Sequence, residues 1–403
     1  MRIVQVNVTA ATGSHGVIAE EIGKLAILKG WESWIAFGRR ARESRSELIR
    51  IGSNKDIIWH GVESRLFDRH GLASRSATRK LVKQLEEIKP DLVHLHNIHG
   101  YFLNYPILFD YLKRSGVRVI WTLHDCWPLT GHCAHFMGVG CDKWKSGCGE
   151  CQLKGAYPSG IFIDRSRKNW VRKREVFGSL GDRLTLVACC EGIAKYYREA
   201  MPQTRLEVIH NGVDLMTYRP LGITKRKMIL GVASVWPPSK GLGEFIKLRK
   251  MLPKDWEIEL VGLSERQISS LPEGINGRGR TQNVGELVEL YNQAAVFVNP
   301  TFEDSFPTVN LEALACGTPV VTYRTGGSPE AVDELTGVVV DRGDVKGLIE
   351  GITRAERLRP EDCRARAEAR FNKDDCFRKY IELYENQYSD GDVESRGYDS
   401  VND

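Results

Sequence analysis

No apolar run in the 403-residue chain approaches the roughly 18–20 residues that span a bilayer. The opening MRIVQVNVTAATGSHG lacks the charged-then-apolar layout and cleavage site of a secretory leader, so a cytoplasmic protein is expected. No nucleic-acid reading module and no interleaved aromatic platform is present, which removes nucleic acid as the expected partner. Whole-chain disorder is excluded too, because 42% hydrophobic and 27% charged residues supply full cores. What is present is an uneven charge. Residues Met1–Arg205 carry 32 basic and 20 acidic side chains, net 32 − 20 = +12, while Leu206–Asp403 carry 25 and 32, net −7. Two halves of opposite sign, in a chain of this length, predict two domains with different partners.

Short β-rich runs alternate with amphipathic stretches, the pattern of helices crossing between parallel strands. Strands are predicted at Arg2–Val8, Ser33–Phe37, Asp91–Leu95, Val117–Leu123 and Leu184–Ala188, then at Met228–Ala233, Glu257–Val261, Val296–Asn299, Pro319–Thr322 and Gly337–Val340. Helices are predicted at Val17–Leu28, Thr78–Ile88, Tyr105–Arg114, Arg167–Phe177, Leu242–Met251, Val284–Gln293, Val309–Ala315 and Val345–Arg354. The fold class is therefore α/β, with two doubly wound, Rossmann-like domains in tandem facing a cleft. The first domain is read as residues 1–210 with a Cys-rich insertion at 131–152, and the second as 211–372. A helix at 373–388 is expected to return towards the first domain, and the acidic tail 389–403 to be disordered. In such sheets ligands bind beyond the carboxyl ends of strands.

The most informative stretch runs from Asn299 to Val321 as strand, loop, helix and strand. Asp304 or Ser305 can cap the helix, and Pro307 suits its first turn. The amides of Thr308, Val309 and Asn310 then offer a diphosphate site at the helix start, with Glu312 one turn in for a ribose diol. An ordinary amphipathic helix with a solvent-facing Glu is the plainer account.

This stretch resembles the nucleotide-sugar signature of retaining GT-B glycosyltransferases of family 4, where two acidic residues separated by seven others precede an Ala-x-Ala-x-Gly-x-Pro-Val run. Asp304 and Glu312 have that spacing, although the usual first Glu is Asp, with Glu303 beside it. The resemblance implies a nucleotide diphosphate donor, UDP- or GDP-sugar, held by Phe306–Asn310 and Glu312, with Asp304 or Glu303 at the donor sugar. Gly231–Leu242 is similar to the strand and loop whose Arg and Lys hold the donor phosphates; Lys240 is present, but Ser234 or Val235 stands where the Arg is expected. Gly13, Ser14 and Gly16 after the first strand resemble the loop that approaches the reaction centre from the acceptor side. His124 in Trp121-Thr-Leu-His-Asp-Cys-Trp-Pro128 matches the family histidine beside the donor sugar. His94 and His96 share one face of the preceding strand and, with His99, are read as supporting groups. No catalytic metal is expected.

Ten cysteines are many for a reducing compartment, and Cys133, Cys141, Cys148 and Cys151 fall within nineteen residues. Their closing Cys-x2-Cys predicts a closed structural zinc site; free thiols or a redox pair are the alternatives. Trp-Thr-Leu-His-Asp followed by such a cluster also resembles the colanic-acid-type exopolysaccharide branch. The family implies a lipid-linked oligosaccharide acceptor in bacterial surface-polysaccharide synthesis. Basic runs at Arg39–Arg50, Arg65–Lys83 and Arg165–Arg174 fit an anionic membrane surface, at the inner face of the plasma membrane. Two other readings stand beside it: a nucleotide-sugar epimerase on the same fold, and a non-catalytic zinc-bearing binding module.

Overall fold

The structure, a computed structural model, describes residues 1–396, with side chains through residue 387. The chain sorts into two compact units. The first contains Met1–Cys189, Ile193–Ile209 and residues 377–396; the second contains Cys190–Gly192 and His210–Cys376.

In the first unit seven strands form one parallel sheet: β1 (Arg2–Ala10), β2 (Glu32–Ala41), β3 (Glu47–Arg50), β4 (Leu92–Leu95), β5 (Arg118–Leu123), β6 (Leu184–Ala188) and β7 (Arg205–Val208), in the order β3-β2-β1-β4-β5-β6-β7. The second unit's parallel sheet has six: β8 (Arg226–Val232), β9 (Glu257–Val261), β10 (Ile275–Arg278), β11 (Ala294–Asn299), β12 (Val320–Tyr323) and β13 (Gly337–Val340), in the order β10-β9-β8-β11-β12-β13. Both orders start at an inner strand, wind outwards one way and then restart on its other side. The reversal falls between β1 and β4 in one unit and between β8 and β11 in the other. Loops leaving such neighbours diverge and open a crevice at their carboxyl ends. The inner strands β4, β6, β11 and β12 are buried at every residue, as a sheet covered by helices on both faces requires.

The strands that the sequence did not predict are the outermost β3, β7 and β10. Each is four residues long and carries charge, so it has no apolar run to detect. Five helices carry or border the groups that bear on function: α1 (Ser14–Leu28), α2 (Asn54–Phe67), α3 (Ser166–Gly178), α4 (Thr308–Ala315) and α5 (Lys373–Arg396). Within the first unit α5 lays Tyr380, Tyr384 and Gln387 into the core, where Tyr384 hydrogen-bonds His94 Nδ1 at 2.5 Å and Gln387 donates to Thr185. The helix continues to Arg396 where a disordered tail from 389 was expected; residues 397–403 lie outside the described residues. No helix among the described residues is long and apolar enough to cross a membrane.

Candidate active site

In the second unit the loop after β8 and the loop after β11 meet over the crevice. Phe302 N donates to Ser239 O at 2.7 Å, and Thr301 Oγ1 donates to Ser239 O at 3.3 Å and Glu303 O at 3.0 Å. This stitching brings Lys240 Nζ onto Asp304 Oδ2 in a half-buried ion pair. Behind Asp304, Gly326 has φ +50°, and a Cβ there would lie 1.8 Å from Asp304 O. Gly327 N donates to Ser305 O at 2.7 Å. Only glycine lets that strut approach so closely.

Helix α4 starts at Thr308 with Pro307 as its N-cap and no side-chain cap, so neither Asp304 nor Ser305 takes the capping role allowed for them. Phe306 is buried, its ring 5.0 Å from that of His210. Asn310 is committed to structure: its amide donates to Pro307 O at 3.1 Å, and its buried side chain accepts from Asn299 Nδ2 at 2.8 Å. Thr308 and Val309 stay half-exposed at the helix start. One turn in, Glu312 Oε2 accepts from Tyr291 Oη at 2.9 Å. Burial pushes the Glu312 carboxyl up to about 7, against the pull of its Tyr291 and Thr308 hydrogen bonds. A fourth group went unnoticed in the sequence. Arg280, just past β10, reaches across the sheet edge and donates to Ser234 O through Nη2 at 3.2 Å and Nε at 3.4 Å. Its cation thus stands beside a position where the sequence has no Arg.

In the first unit Gly13 enters α1 with φ +70°, and Ser14 and Gly16 open the helix. A Cβ on Gly16 would lie 2.6 Å from Thr9 Oγ1, so this glycine serves close packing of α1 on β1. Beyond β5 and β4 lies a run of imidazoles. His124 Nε2 is 3.3 Å from His96 Nδ1, and its ring is 5.7 Å from that of His15. His96 bonds Gln5 at 2.9 Å, and His94 bonds Thr122 at 2.8 Å, so these two are anchored in the core. Burial, then the neighbouring imidazoles, hold His124 well below its ordinary pKa; burial, then His99, takes His15 down to about 4. His124 is therefore a neutral hydrogen-bonding group. His99 links Asp125, at 2.7 Å, to Tyr157, at 2.9 Å. Against burial, the neighbouring His99 and its hydrogen bond keep the Asp125 carboxyl well below its usual range.

Cys133, Cys141, Cys148 and Cys151 line one small cavity of about 20 Å³ with His132 and Trp144. The Cys133 thiol hydrogen-bonds Cys151 and lowers the Cys151 pKa, and Gly131 N donates to Cys148 Sγ at 3.3 Å. Among the described residues, no three His, Cys, Asp or Glu side chains stand as a metal-ligand set. Helix α3 holds the start of the loop, where buried Lys173 donates to Trp127 O at 2.6 Å and Thr130 O at 2.9 Å. This Lys, from the basic run expected to face an anionic membrane surface, is pushed by burial down to about 7.

The family model Glycosyltransferase Family 4 matches residues 17–216, and Glycosyl transferases group 1 matches 226–356. A putative colanic acid biosynthesis glycosyl transferase, WcaC of Escherichia coli (strain K12), is 24% identical over 96% of this chain and 100% of its own length. The D-inositol 3-phosphate glycosyltransferase of Paenarthrobacter aurescens (strain TC1) is 35% identical, covering 68% of each chain. Sucrose-phosphate synthase from Thermosynechococcus elongatus superposes with a TM-score of 0.68 at 16% identity, over 96% of this chain and 99% of that one. Anabaena Alr3699/HepE, solved in complex with UDP, gives 0.64 at 15%, over 96% and 99%. At these identities the structural likeness establishes the shared GT-B fold.

Proposed function

This chain belongs to glycosyltransferase family 4 and is a glycosyltransferase, and from that premise we propose that it moves a sugar from a nucleotide-diphosphate donor to a lipid-linked glycan, with retention of configuration, in surface-polysaccharide synthesis. The observation that carries this reading is the Lys240–Asp304 pair beside the uncapped start of α4, at the reversal of strand order. A diphosphate entering there takes over Lys240, receives the amides of the helix start, and leaves Asp304 to accept hydrogen bonds from the donor sugar. Glu312 accepts from the ribose diol. Arg280 adds the second cation that the loop after β8 lacks. In the first unit neutral His124 orients the reacting face, and the leaving diphosphate helps deprotonate the acceptor hydroxyl, so the protein mainly positions and neutralises. The name of the colanic acid relative supports the glycan acceptor, and the UDP complex of the Anabaena protein supports the donor class.

Thermal melting with a panel of nucleotide sugars tests the donor, since a bound ligand raises stability. UDP- or GDP-sugars should stabilise the wild type and release nucleotide faster with acceptor. If no donor stabilises it, and Glu312→Ala changes nothing, the reading is overturned.

For the Cys-rich loop we propose a structural zinc drawn onto the four thiols by rotation of their side chains, supported by their shared cavity. Metal analysis should find near one equivalent, lost in Cys148→Ser with Cys151→Ser. Folded protein without metal would overturn this.

A further inference from the structure

Helix α2 is inverted. It buries His60 and Ser64 and exposes Ile58 (67%), Trp59 (62%), Val62 (38%) and Phe67 (43%). A helix docked by its apolar stripe shows the reverse. Its inner side is held by polar contacts: His60 Nδ1 to Ser74 Oγ at 2.8 Å, and Gly71 N to His60 Nε2 at 3.1 Å. Lys55, Ile58, Val62 and Arg65 follow one another at spacings of three and four, so the cations share the exposed apolar face. The nearby acid, Glu63, accepts from Trp59 Nε1 at 3.1 Å and pairs with Arg69 at 3.6 Å.

A second segment extends the face. Ile161 N donates to Arg65 O at 2.7 Å, which ties the exposed Ile161 (55%), Phe162 (71%) and Ile163 (36%) to the end of α2. Lys154 Nζ reaches Phe162 O at 3.5 Å. The carboxylate of Asp164 is occupied by Cys151 N at 2.6 Å and Ser166 N at 2.8 Å. Scattered exposed apolar residues need no explanation, but a continuous patch ringed by cations does.

We propose that this face docks on an anionic bilayer surface. Ile58, Trp59 and Phe162 enter the boundary between headgroups and acyl chains, and Lys55, Arg65 and Lys154 meet lipid phosphates. The +12 charge of the first half suits that partner. Tyr157, 44% exposed and a few residues before Ile161 in the chain, bonds His99 at the strand ends of the same unit. A lipid-linked acceptor would thus emerge beside the imidazole cluster. Only that purpose rests on the proposed function; the docking itself does not.

Co-sedimentation with phosphatidylcholine vesicles, with and without phosphatidylglycerol, tests the proposal. The wild type should pellet with the anionic vesicles and be released by salt. The triple variant Ile58→Ser, Trp59→Ser, Phe162→Ser should bind them about tenfold more weakly or worse. Lys55→Glu with Arg65→Glu should remove the preference for anionic lipid. Because the positions are exposed, all variants should melt with the wild type and keep its stabilisation by nucleotide sugar. Wild type that stays in the supernatant with both vesicles overturns the proposal, as does a triple variant that binds equally well. Wild-type dimers that the triple variant turns into monomers, without vesicle binding, would give the face to a second copy. Vesicle binding without any sugar transfer would uphold docking while the functional reading fell.

Discussion

The two units share a strand order and differ in the chemistry placed on it. Beyond β1, β4 and β5 the first unit gathers imidazole and phenol: His15, His96 and His124, with His99 and Tyr157 beyond. Burial holds His15, His96 and His124 below their ordinary range, which leaves a neutral surface of donors and acceptors. Beyond β8, β10 and β11 the second unit gathers charge in Lys240, Asp304, Glu312 and Arg280. The winding fixes where a ligand can sit; the side chains decide which one. An edge of neutral imidazoles, its one carboxylate, Asp125, held by His99, suits a hydroxyl acceptor, and one that presents Lys240 and Arg280 suits a diphosphate.

The strongest way to break this contrast is to discharge the second unit. Lys240→Ala removes the paired cation at the proposed diphosphate site and leaves Asp304 facing it. Transfer should fall about 10³-fold, on the order of 4 kcal/mol of transition-state stabilisation. His124→Ala should instead lower turnover while leaving donor-induced thermal stabilisation in place. If both variants lose donor stabilisation alike, the division between the units is wrong.

Acid should separate the units next. His15 has a folded pKa of about 4, below its ordinary 6.5, so on acidification the unfolded chain takes the proton first. Stability present above pH 6.5 is therefore lost as pH falls towards 4, on the order of 3 kcal/mol for this residue alone. In the second unit Glu330 and Asp333 have lowered values, and their contribution is lost only below the ordinary carboxylate range. Peptide-resolved hydrogen exchange at pH 7 and pH 5 should show β1 and β4 opening before β8 and β11. Equal loss in both sheets would remove the contrast.

Glu312 gives the reverse dependence at the donor site. With a carboxyl pushed up to about 7, the free protein holds a proton there below neutrality, whereas the proposed ribose contact requires the carboxylate. Donor affinity should rise about tenfold from pH 6 to pH 8, and Glu312→Gln should flatten the profile. A wild-type affinity that is flat over this range would remove the carboxylate from the ribose.

Much of this was legible in the sequence because it is local. The inner strands are apolar runs, and Asp304, Pro307 and Glu312 belong to one strand–loop–helix passage. What escaped notice is carried by contacts distant in sequence. Tyr291 reaches Glu312, and Gly326 braces Asp304 across a gap only the fold closes. Helix α2 escaped for another reason: Ile58, Trp59, Val62 and Phe67 point outwards and its fully buried residues are His60 and Ser64, so its pattern reads as no packed helix at all. Lys173 differs in the opposite sense, since a member of a basic run expected at a membrane surface turns inwards to two carbonyls.

Arg280 is the smallest and sharpest test of how charge was assembled in the second unit. The sequence places Ser234 or Val235 where a phosphate-binding Arg is expected, and the structure brings a guanidinium to the Ser234 carbonyl from past β10, two strands away in the sheet. An exposed cation on a flexible stem is worth about 1 kcal/mol, so Arg280→Ala should weaken donor binding about fivefold. Arg280→Lys should recover little, because a point charge cannot hold the Ser234 carbonyl and a phosphate through one planar fork. The decisive variant combines Ser234→Arg with Arg280→Ala. If the cation is what the site requires, whichever strand supplies it, the double variant should bind donor as tightly as the wild type. If Arg280→Ala alone binds normally, the site is held by Lys240 and the helix start, and the second cation is dispensable.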